Sequence, residues 1–377
     1  MGIDVDILAL VVWLTSLLAT IYSTWLVLRY FDMPYPDPQF LPPLSILKPI
    51  VGYDSGLEKN IESFFQLSYP CFELLFSFQE NCAGKQIVER LQSQYPHIKS
   101  KIFVTNEKVG LNPKINNIYR SYQEASYDLI LISDSSIRVK PDYLQGMVLH
   151  LDSGGVGVVT SVVVGKNAKT LGGRLEAMYL NTFYVRGMIL AHTLNQPCVV
   201  GKSMLVQKSI MSQLGGLKAL SKYLAEDYMT GKEVKRLQYD LEISHEPVEQ
   251  HIGKYSAKDF WSRHVRWGRI RKSHVPIAFF VEPVLSCSVS ALIGSYVVPH
   301  FLPVAWWVVF CSHIFIWAFC DALVLKTVKD ELSVSKAVVW AMREMISFPL
   351  WIHTALGNTV QWRGKRYRIK RGKIVTL

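Results

Sequence analysis

The stretch Tyr127-Asp128-Leu129-Ile130-Leu131-Ile132-Ser133-Asp134, followed at once by Ser135-Ser136-Ile137-Arg138, decides the fold. It is an apolar run of β type that finishes on an acid. In open α/β sheets the ends of buried strands deliver side chains into the crevice beside the sheet, so a carboxylate at this place points to a nucleotide or metal site. Taken alone, Asp134 is more simply a solvated strand-end residue, because Asp is a common turn former. The rest of the chain has to decide between the two.

Working outward, strand and helix patterns alternate. A Pro-rich linker, Pro34 to Pro43, leads into Leu44-Ser45-Ile46-Leu47-Lys48-Pro49, a short apolar strand that ends in a basic residue. Residues 57–66 read as an amphipathic helix, 72–79 as a strand, 85–94 as a helix and 102–105 as a strand. Asn112-Pro113 is a helix start signal for a segment running to Ala125. Beyond Asp134, residues 156–164 read as a strand, 171–194 as a helix, 198–206 as a strand crossing Gly201, and 220–238 as a helix around Glu226-Asp227. Such alternation predicts an α/β domain with a mostly parallel sheet and helices on both faces. No Gly-x-Gly-x-x-Gly follows a strand and Walker A is absent, so a bound nucleotide would need another device for its phosphates. A divalent metal on a strand-end carboxylate is such a device, since hard cations bridge carboxylate and diphosphate oxygens.

The chain's 377 residues are 50% hydrophobic and its mean hydropathy is positive, which places part of the apolar content in lipid. Ile7 to Leu28 carries no charge and is long enough to cross a bilayer. Asp4 and Asp6 precede it and no small-residue cleavage site stands out, so it reads as a retained span rather than a signal peptide. Arg29 follows immediately, which by the positive-inside rule puts the N-terminus outside and the following domain in the cytoplasm. Pro283 to Cys320 also lacks Asp, Glu, Lys and Arg. It is long enough for two short spans that turn at Pro299-His300-Phe301-Leu302-Pro303. Ser333 to Leu356 is apolar but holds Arg343 and Glu344 at its middle, and unpaired charges there would cost about 2.5 to 3.5 kcal/mol each. An interfacial or re-entrant helix fits better than a span. The layout expected is therefore an N-terminal anchor at 1–32, a catalytic domain at 44–272, two transmembrane helices within 275–326, and an interfacial helix with a basic cytoplasmic tail at 333–377.

The formal charge is +11, concentrated in that tail and in Lys254 to Lys272. Both stretches flank membrane segments, so acidic headgroups and an anionic substrate are the expected partners. No zinc-finger or RNA-binding signature supports nucleic acid. The six cysteines show neither CxxC nor metal-ligand spacing and read as reduced thiols.

Four charged elements recur in order down the soluble region: Glu80 after a strand, Asp134 after a strand, Glu226-Asp227, and Arg263-His264-Val265-Arg266-Trp267. This order resembles the D, D, D, (Q/R)xxRW pattern of inverting, family-2-like glycosyltransferases with a GT-A fold. Lys48-Pro49, Asn112-Pro113-Lys114-Ile115-Asn116-Asn117, Asp134 to Val139, Ala225-Glu226-Asp227-Tyr228 and Trp362 to Tyr367 carry the likeness further. Together they resemble the ceramide glucosyltransferase (glucosylceramide synthase) family from about Leu44 to the C-terminus.

That resemblance implies transfer of glucose from UDP-glucose, with inversion, to the primary hydroxyl of ceramide or a related membrane lipid at the cytoplasmic face. It implies a Golgi enzyme in a eukaryote or an inner-membrane enzyme in a bacterium. Asp227 is the implied general base and Arg266 a positive clamp on the diphosphate. Trp267 is the implied partner of the sugar or the wall of the membrane-facing entrance. Lys48, Glu80, Lys114, Asp134 and Arg263 are the implied UDP-sugar contacts, with Asp134 holding Mg2+ or Mn2+. Two departures stand out: Glu80 replaces the first Asp of the pattern, and Ser136 stands where a second acid of an aspartate-x-aspartate pair would be. Residues 198–204 are closer to bacterial members than to animal ones, and a histidine familiar from animal enzymes is Tyr184 here. These changes leave the acceptor open. A hopanoid or other lipid alcohol, with N-acetylglucosamine as donor, is the nearest alternative, and a non-catalytic nucleotide-sugar or lipid-binding membrane protein is the alternative of another class.

Overall fold

The computed structural model describes residues 5–34, 36–52, 56–79, 83–152, 154–362, 365–370 and 373–376. Glu80, together with Arg363 and Arg371 of the basic tail, lies outside the described residues. The chain divides into two compact units, one of residues Met33–Ala168 and Ala191–Gly253, the other of Met1–Asp32, Lys169–Leu190 and Lys254–Leu377.

The first unit is built on an eight-stranded sheet. Its strands are β1 (Leu44–Ile50), β2 (Phe72–Phe78), β3 (Ser100–Val104), β4 (Leu129–Ser133), β5 (Ile137–Arg138), β6 (Val156–Ala168), β7 (Ser203–Gln207) and β8 (Asp240–Gly253), in the spatial order β3-β2-β1-β4-β7-β6-β8-β5. The half β3-β2-β1-β4 is wholly parallel. Strands β1, β2 and β4 are buried along their whole length, as continuous apolar runs in a helix-covered parallel sheet should be. Beyond β4 the sheet reverses, because β7 pairs antiparallel with both β4 and β6, while β6 and β8 run parallel. The fold is thus α/β with a mostly parallel sheet, as expected. One face packs Leu47, Leu75, Ile130, Ile132, Val158 and Met204 against Ile115, Ile118 and Tyr122 of the helix Pro113–Gln123.

Two expectations needed correcting. Residues 198–202 turn instead of pairing, and the strand begins only at Ser203. The reason is that Gly201 gives its N–H to Asp227 Oδ2 and its carbonyl to Lys114 Nζ, leaving neither for a ladder. The long strand β8 was not foreseen, because its polar sequence and internal Pro247 hide it. Its register against β6 shifts between Ser161 and Val163, and that irregularity accommodates the proline.

The second unit is helical, with a small sheet of β9 (Thr359–Trp362), β10 (Lys365–Lys370) and β11 (Lys373–Thr376). Val5–Asp32 and Trp306–Thr327 are long and apolar enough to cross a membrane. Between them Pro276–Leu285 and Cys287–Phe301 form a pair bent by 64°, a broken span or re-entrant loop rather than one straight span. Helix Val5–Asp32 locks onto this region through Trp13 Nε1, which donates to His313 Nδ1 at 3.1 Å, and Ser16 Oγ, which donates to Val284 O at 2.6 Å. Its close approach requires Gly294, since a Cβ there would lie 2.2 Å from Trp13 Nε1. Residues 169–190 and 254–272, read above as part of the sheet domain, group with these helices. Glu176, which bonds His264 at 2.8 Å, shows why: the two segments share a buried polar contact.

Buried charges in the helical unit meet in pairs at two places among the described residues. Arg186 meets Asp321 at 2.9 Å with both side chains at most 5% exposed, and Arg343 meets Glu344 directly. Pairing of this kind lets the largely apolar helix Val334–Ala355 carry charge at its middle.

Candidate active site

In the sheet unit the site is assembled where β4 ends. Lys114, in the first turn of the helix Pro113–Gln123, extends its ammonium to Asp134 Oδ1 at 3.0 Å and Glu226 Oε1 at 3.3 Å, and donates to Gly201 O at 2.5 Å. Asn112 caps that helix, its Oδ1 accepting from the N–H groups of Lys114 and Ile115. The Nδ2 of the same residue donates to Glu226 Oε2 at 2.9 Å and Tyr223 O at 2.8 Å. One asparagine therefore fixes both the start of the lysine's helix and the carboxylate the lysine faces.

Glu226 and Asp227 open the helix Glu226–Arg236, in the first turn where negative charge is favoured. The two diverge in environment. Glu226 is buried against Lys114 and Asn112. Asp227 is half-buried, with Oδ2 accepting from Gly201 N–H and Oδ1 from Tyr228 N–H, each at 2.8 Å. A Cβ on Gly201 would come within 2.9 Å of Lys114 Nζ and 3.0 Å of Asp227 Oδ2, so only glycine lets the turn approach both.

The electrostatics follow from burial and this pairing. Burial pulls the Lys114 ammonium down, but Asp134, Glu226 and Asp227 outweigh it and hold its pKa above the ordinary lysine value. Burial would raise Asp134, yet Lys114, Lys202 and Lys48 bring it below the usual carboxylate range. Burial wins at Glu226, aided by Asp227 and opposed by Lys114, and its pKa is raised. Lys48 is fully buried on β1, and desolvation pushes its pKa well below the ordinary value. Its ammonium donates to Ser133 Oγ at 3.2 Å and Asp134 O at 2.8 Å and sits 3.7 Å from the centre of the Phe64 ring. Lys48 thus pins the end of β4 from the neighbouring strand.

The Arg263-to-Trp267 motif lies in the helical unit, on the helix Ala257–His274. Arg263 Nε lies 3.4 Å from Glu176 Oε1, and its guanidinium packs 4.4 Å from the Trp267 ring centre. His264 bonds Glu176 Oε2 at 2.8 Å and packs edge-on to Tyr179 at 4.4 Å. Burial lowers its pKa against the pull of Glu176. Arg266 is half-buried on the same helix. Lys114, Asp134 and Asp227 thus meet in one unit with Lys48 on the neighbouring strand, and Arg263 meets Trp267 in the other.

Asn112, Gly201 and Glu176 were missed as site residues. Asn112 had been read only as a helix start, and nothing local marks Gly201 or Glu176, whose partners are distant in sequence. Among the described residues no three His, Cys, Asp or Glu side chains converge as a metal cluster.

A mixed α/β sheet of this order, with carboxylates gathered at the end of a central parallel strand, is a fold of GT-A type. The profile of glycosyl transferase family 21 matches residues 8–375, and the chain belongs to that family. The motif-based resemblance is borne out. Ceramide glucosyltransferase 3 of Caenorhabditis elegans is 32% identical over 338 residues, covering 88% of this chain and 74% of its own length. Ceramide glucosyltransferase 1 of the same animal is 31% identical over 368 residues, covering 96% and 78%. Among solved structures, a mannosyltransferase from Pyrobaculum calidifontis in complex with GDP-Man and Mn2+ superposes with a TM-score of 0.52 at 15% identity, over 94% of this chain and 98% of that one. That likeness is one of fold.

Proposed function

We propose that this chain transfers glucose from UDP-glucose to the primary hydroxyl of ceramide, with inversion, at the cytoplasmic face of a membrane. The observation that carries the reading is the Asp134-Lys114-Glu226 cluster beside Asp227, in a chain whose family relatives include ceramide glucosyltransferases. In the proposed step the ceramide oxygen attacks the anomeric carbon and gives its proton to the Asp227 carboxylate. The bond from that carbon to the diphosphate breaks, and UDP leaves with the electron pair. Two backbone N–H groups fix the orientation of Asp227. Glu226 is better suited to holding Lys114 in place, because it is already engaged by Lys114 and Asn112. By its place in the (Q/R)xxRW pattern, Arg266 is the residue proposed to supply positive charge for the developing diphosphate. Trp267, stiffened by Arg263, offers an apolar ring to the acceptor or the sugar. Lys48 acts on the donor by positioning Asp134.

Asp134 suits a divalent cation that takes most of its ligands from diphosphate and water. Its Oδ1 faces Lys114, while Oδ2 has no hydrogen bond or ion pair among the described residues. Mg2+ or Mn2+ held there would neutralise charge on the leaving group. The cytoplasmic placement rests on Arg29 and the basic tail flanking the apolar helices.

The test is an assay of the full chain in membranes with UDP-glucose and ceramide, with and without EDTA, products being identified by mass spectrometry. Glucosylceramide that disappears with EDTA, returns with Mn2+ or Mg2+, and falls about 10²- to 10⁴-fold in Asp227→Asn supports the proposal. Transfer only to another lipid alcohol, or only from another donor, would replace the substrates. An active Asp227→Asn would remove the base.

A further inference from the structure

The helical unit encloses a cavity with room of about 80 Å³ for water-sized occupants. Its wall is aromatic on one side, with Tyr179 and Phe183 flanking or lying within a π-helical turn, Leu180–Tyr184, and Trp267 on the facing helix. Such turns are frequent at functional sites. Polar groups line the rest, among them the Arg343-Glu344 and Arg271-Glu282 pairs and the hydroxyls of Ser286 and Ser347. Trp317 is 1% exposed and also lines the cavity, and among the described residues its Nε1 has no hydrogen-bond partner. A buried indole N–H without an acceptor is unusual and asks for a ligand oxygen.

The volume admits a small polar group and excludes long chains, since a single water already needs about 10 to 15 Å³ of such space. A path for chains leads away from it. Phe279 and Phe348 stack on Trp351 with ring centres at 5.4 and 6.0 Å, Phe280 meets Trp351 edge-on at 6.3 Å, and Phe280 and Ile277 are 60% and 80% exposed on a segment of the bent helix pair. Exposed apolar surface of this kind, on a segment near helices long and apolar enough to cross a membrane, suits contact with lipid chains.

We infer that this cavity receives the amide and secondary hydroxyl of the two-chain lipid acceptor, not its reacting primary hydroxyl, with Trp317 Nε1 donating to an oxygen of that amide or hydroxyl and the chains leaving across the Phe279-Trp351-Phe348 stack. The inference rests on the proposed reaction for the identity of the lipid. It adds where the acceptor is held. Trp267, beside Arg266 in the motif, forms part of the cavity wall and is therefore an acceptor contact.

The test uses the full chain in nanodiscs with a ceramide carrying a diazirine close to its head, followed by mapping of cross-linked peptides. Labelling of the tryptic peptide 344–363 or of residues 273–326 is expected, and labelling confined to 33–168 and 191–253 would overturn the inference. Kinetics supply the second arm. Trp317→Phe keeps the ring and removes the N–H, so KM for ceramide should rise about three- to tenfold with KM for UDP-glucose unchanged. An unchanged KM for ceramide would sink the role of Trp317. Wild-type chain that makes no glucosylceramide would refute the proposed reaction instead, and the position of the cross-link would still decide the cavity.

Discussion

Lys114→Met keeps most of the length and the apolar stem of the side chain and removes only its charge, so it isolates what the ammonium does. In the wild type that ammonium lies 3.0 Å from Asp134 Oδ1 and 3.3 Å from Glu226 Oε1. At an effective dielectric of about 20 each contact is worth roughly 5 kcal/mol before desolvation. Removing one partner of a buried pair leaves the other charge uncompensated, at about 3 to 5 kcal/mol. Glu226 is 10% exposed and qualifies fully, whereas Asp134 at 33% is partly hydrated and must be discounted. The expected loss is about 3 kcal/mol near neutral pH, at the low end of that range.

The pH dependence sharpens the test. Asp134 is depressed in the folded wild type, so its contribution is present above the ordinary carboxylate value and lost as pH falls through the lower folded one. Glu226 is raised, so its ionisation removes stability as pH rises through its folded value. Without Lys114 both carboxylates shift upward, and protonating them relieves the variant. The gap between variant and wild type should narrow from pH 8 to pH 5 by about 1 kcal/mol or more, the equivalent of roughly one pKa unit. Pulse proteolysis of the detergent-solubilised full chain across a urea series, at both pH values, measures it. A loss below about 1 kcal/mol, or one equal at the two pH values, would refute the view that Lys114 balances a buried acidic cluster.

Gly201→Ala places a methyl 2.9 Å from Lys114 Nζ and 3.0 Å from Asp227 Oδ2; kcat should fall about 10- to 100-fold with little change in expression, as for other small misplacements of a reacting group, and steady-state kinetics at saturating donor would reveal it. Glu73, fully buried on β2, accepts from Ser45 Oγ, the N–H and Oγ of Ser126, and Lys99 Nζ. Burial alone would raise its pKa, but these donors lower it. Glu73→Gln should therefore destabilise by about 2 kcal/mol at pH 7. Because a depressed carboxylate stabilises above its unfolded pKa and loses that contribution as pH falls through the folded one, the deficit should close below about pH 4 in urea melts. Glu176→Gln keeps an acceptor for His264 but removes the charge facing Arg263. If the Arg263-Trp267 stack is set by that charge, KM for ceramide rises about two- to fivefold while KM for UDP-glucose holds.

What the sequence revealed and what it hid divide along one physical line. Periodicity is local, so the apolar runs of β1, β2 and β4 and the first membrane helix were legible to within a few residues. Strand β8 was not, because a strand that is only partly buried and contains proline carries no apolar run, and its place is fixed by pairing with β6, more than eighty residues earlier in the chain. The same line runs through the site. Asp134 and Asp227 were visible because strand ends and helix starts have sequence signatures. The partners that give them different characters were not, since they arrive from afar: Lys114 and Asn112 across more than a hundred residues to Glu226, and Gly201 from a turn that imitates a strand. Adjacent acids in a motif look interchangeable on paper. Here one carboxylate is buried in a lysine-asparagine clasp that occupies its oxygens, and the next is half-buried and held by backbone N–H groups alone. In the proposed reaction the second is the base, since its backbone N–H partners leave each oxygen a further lone pair for the proton.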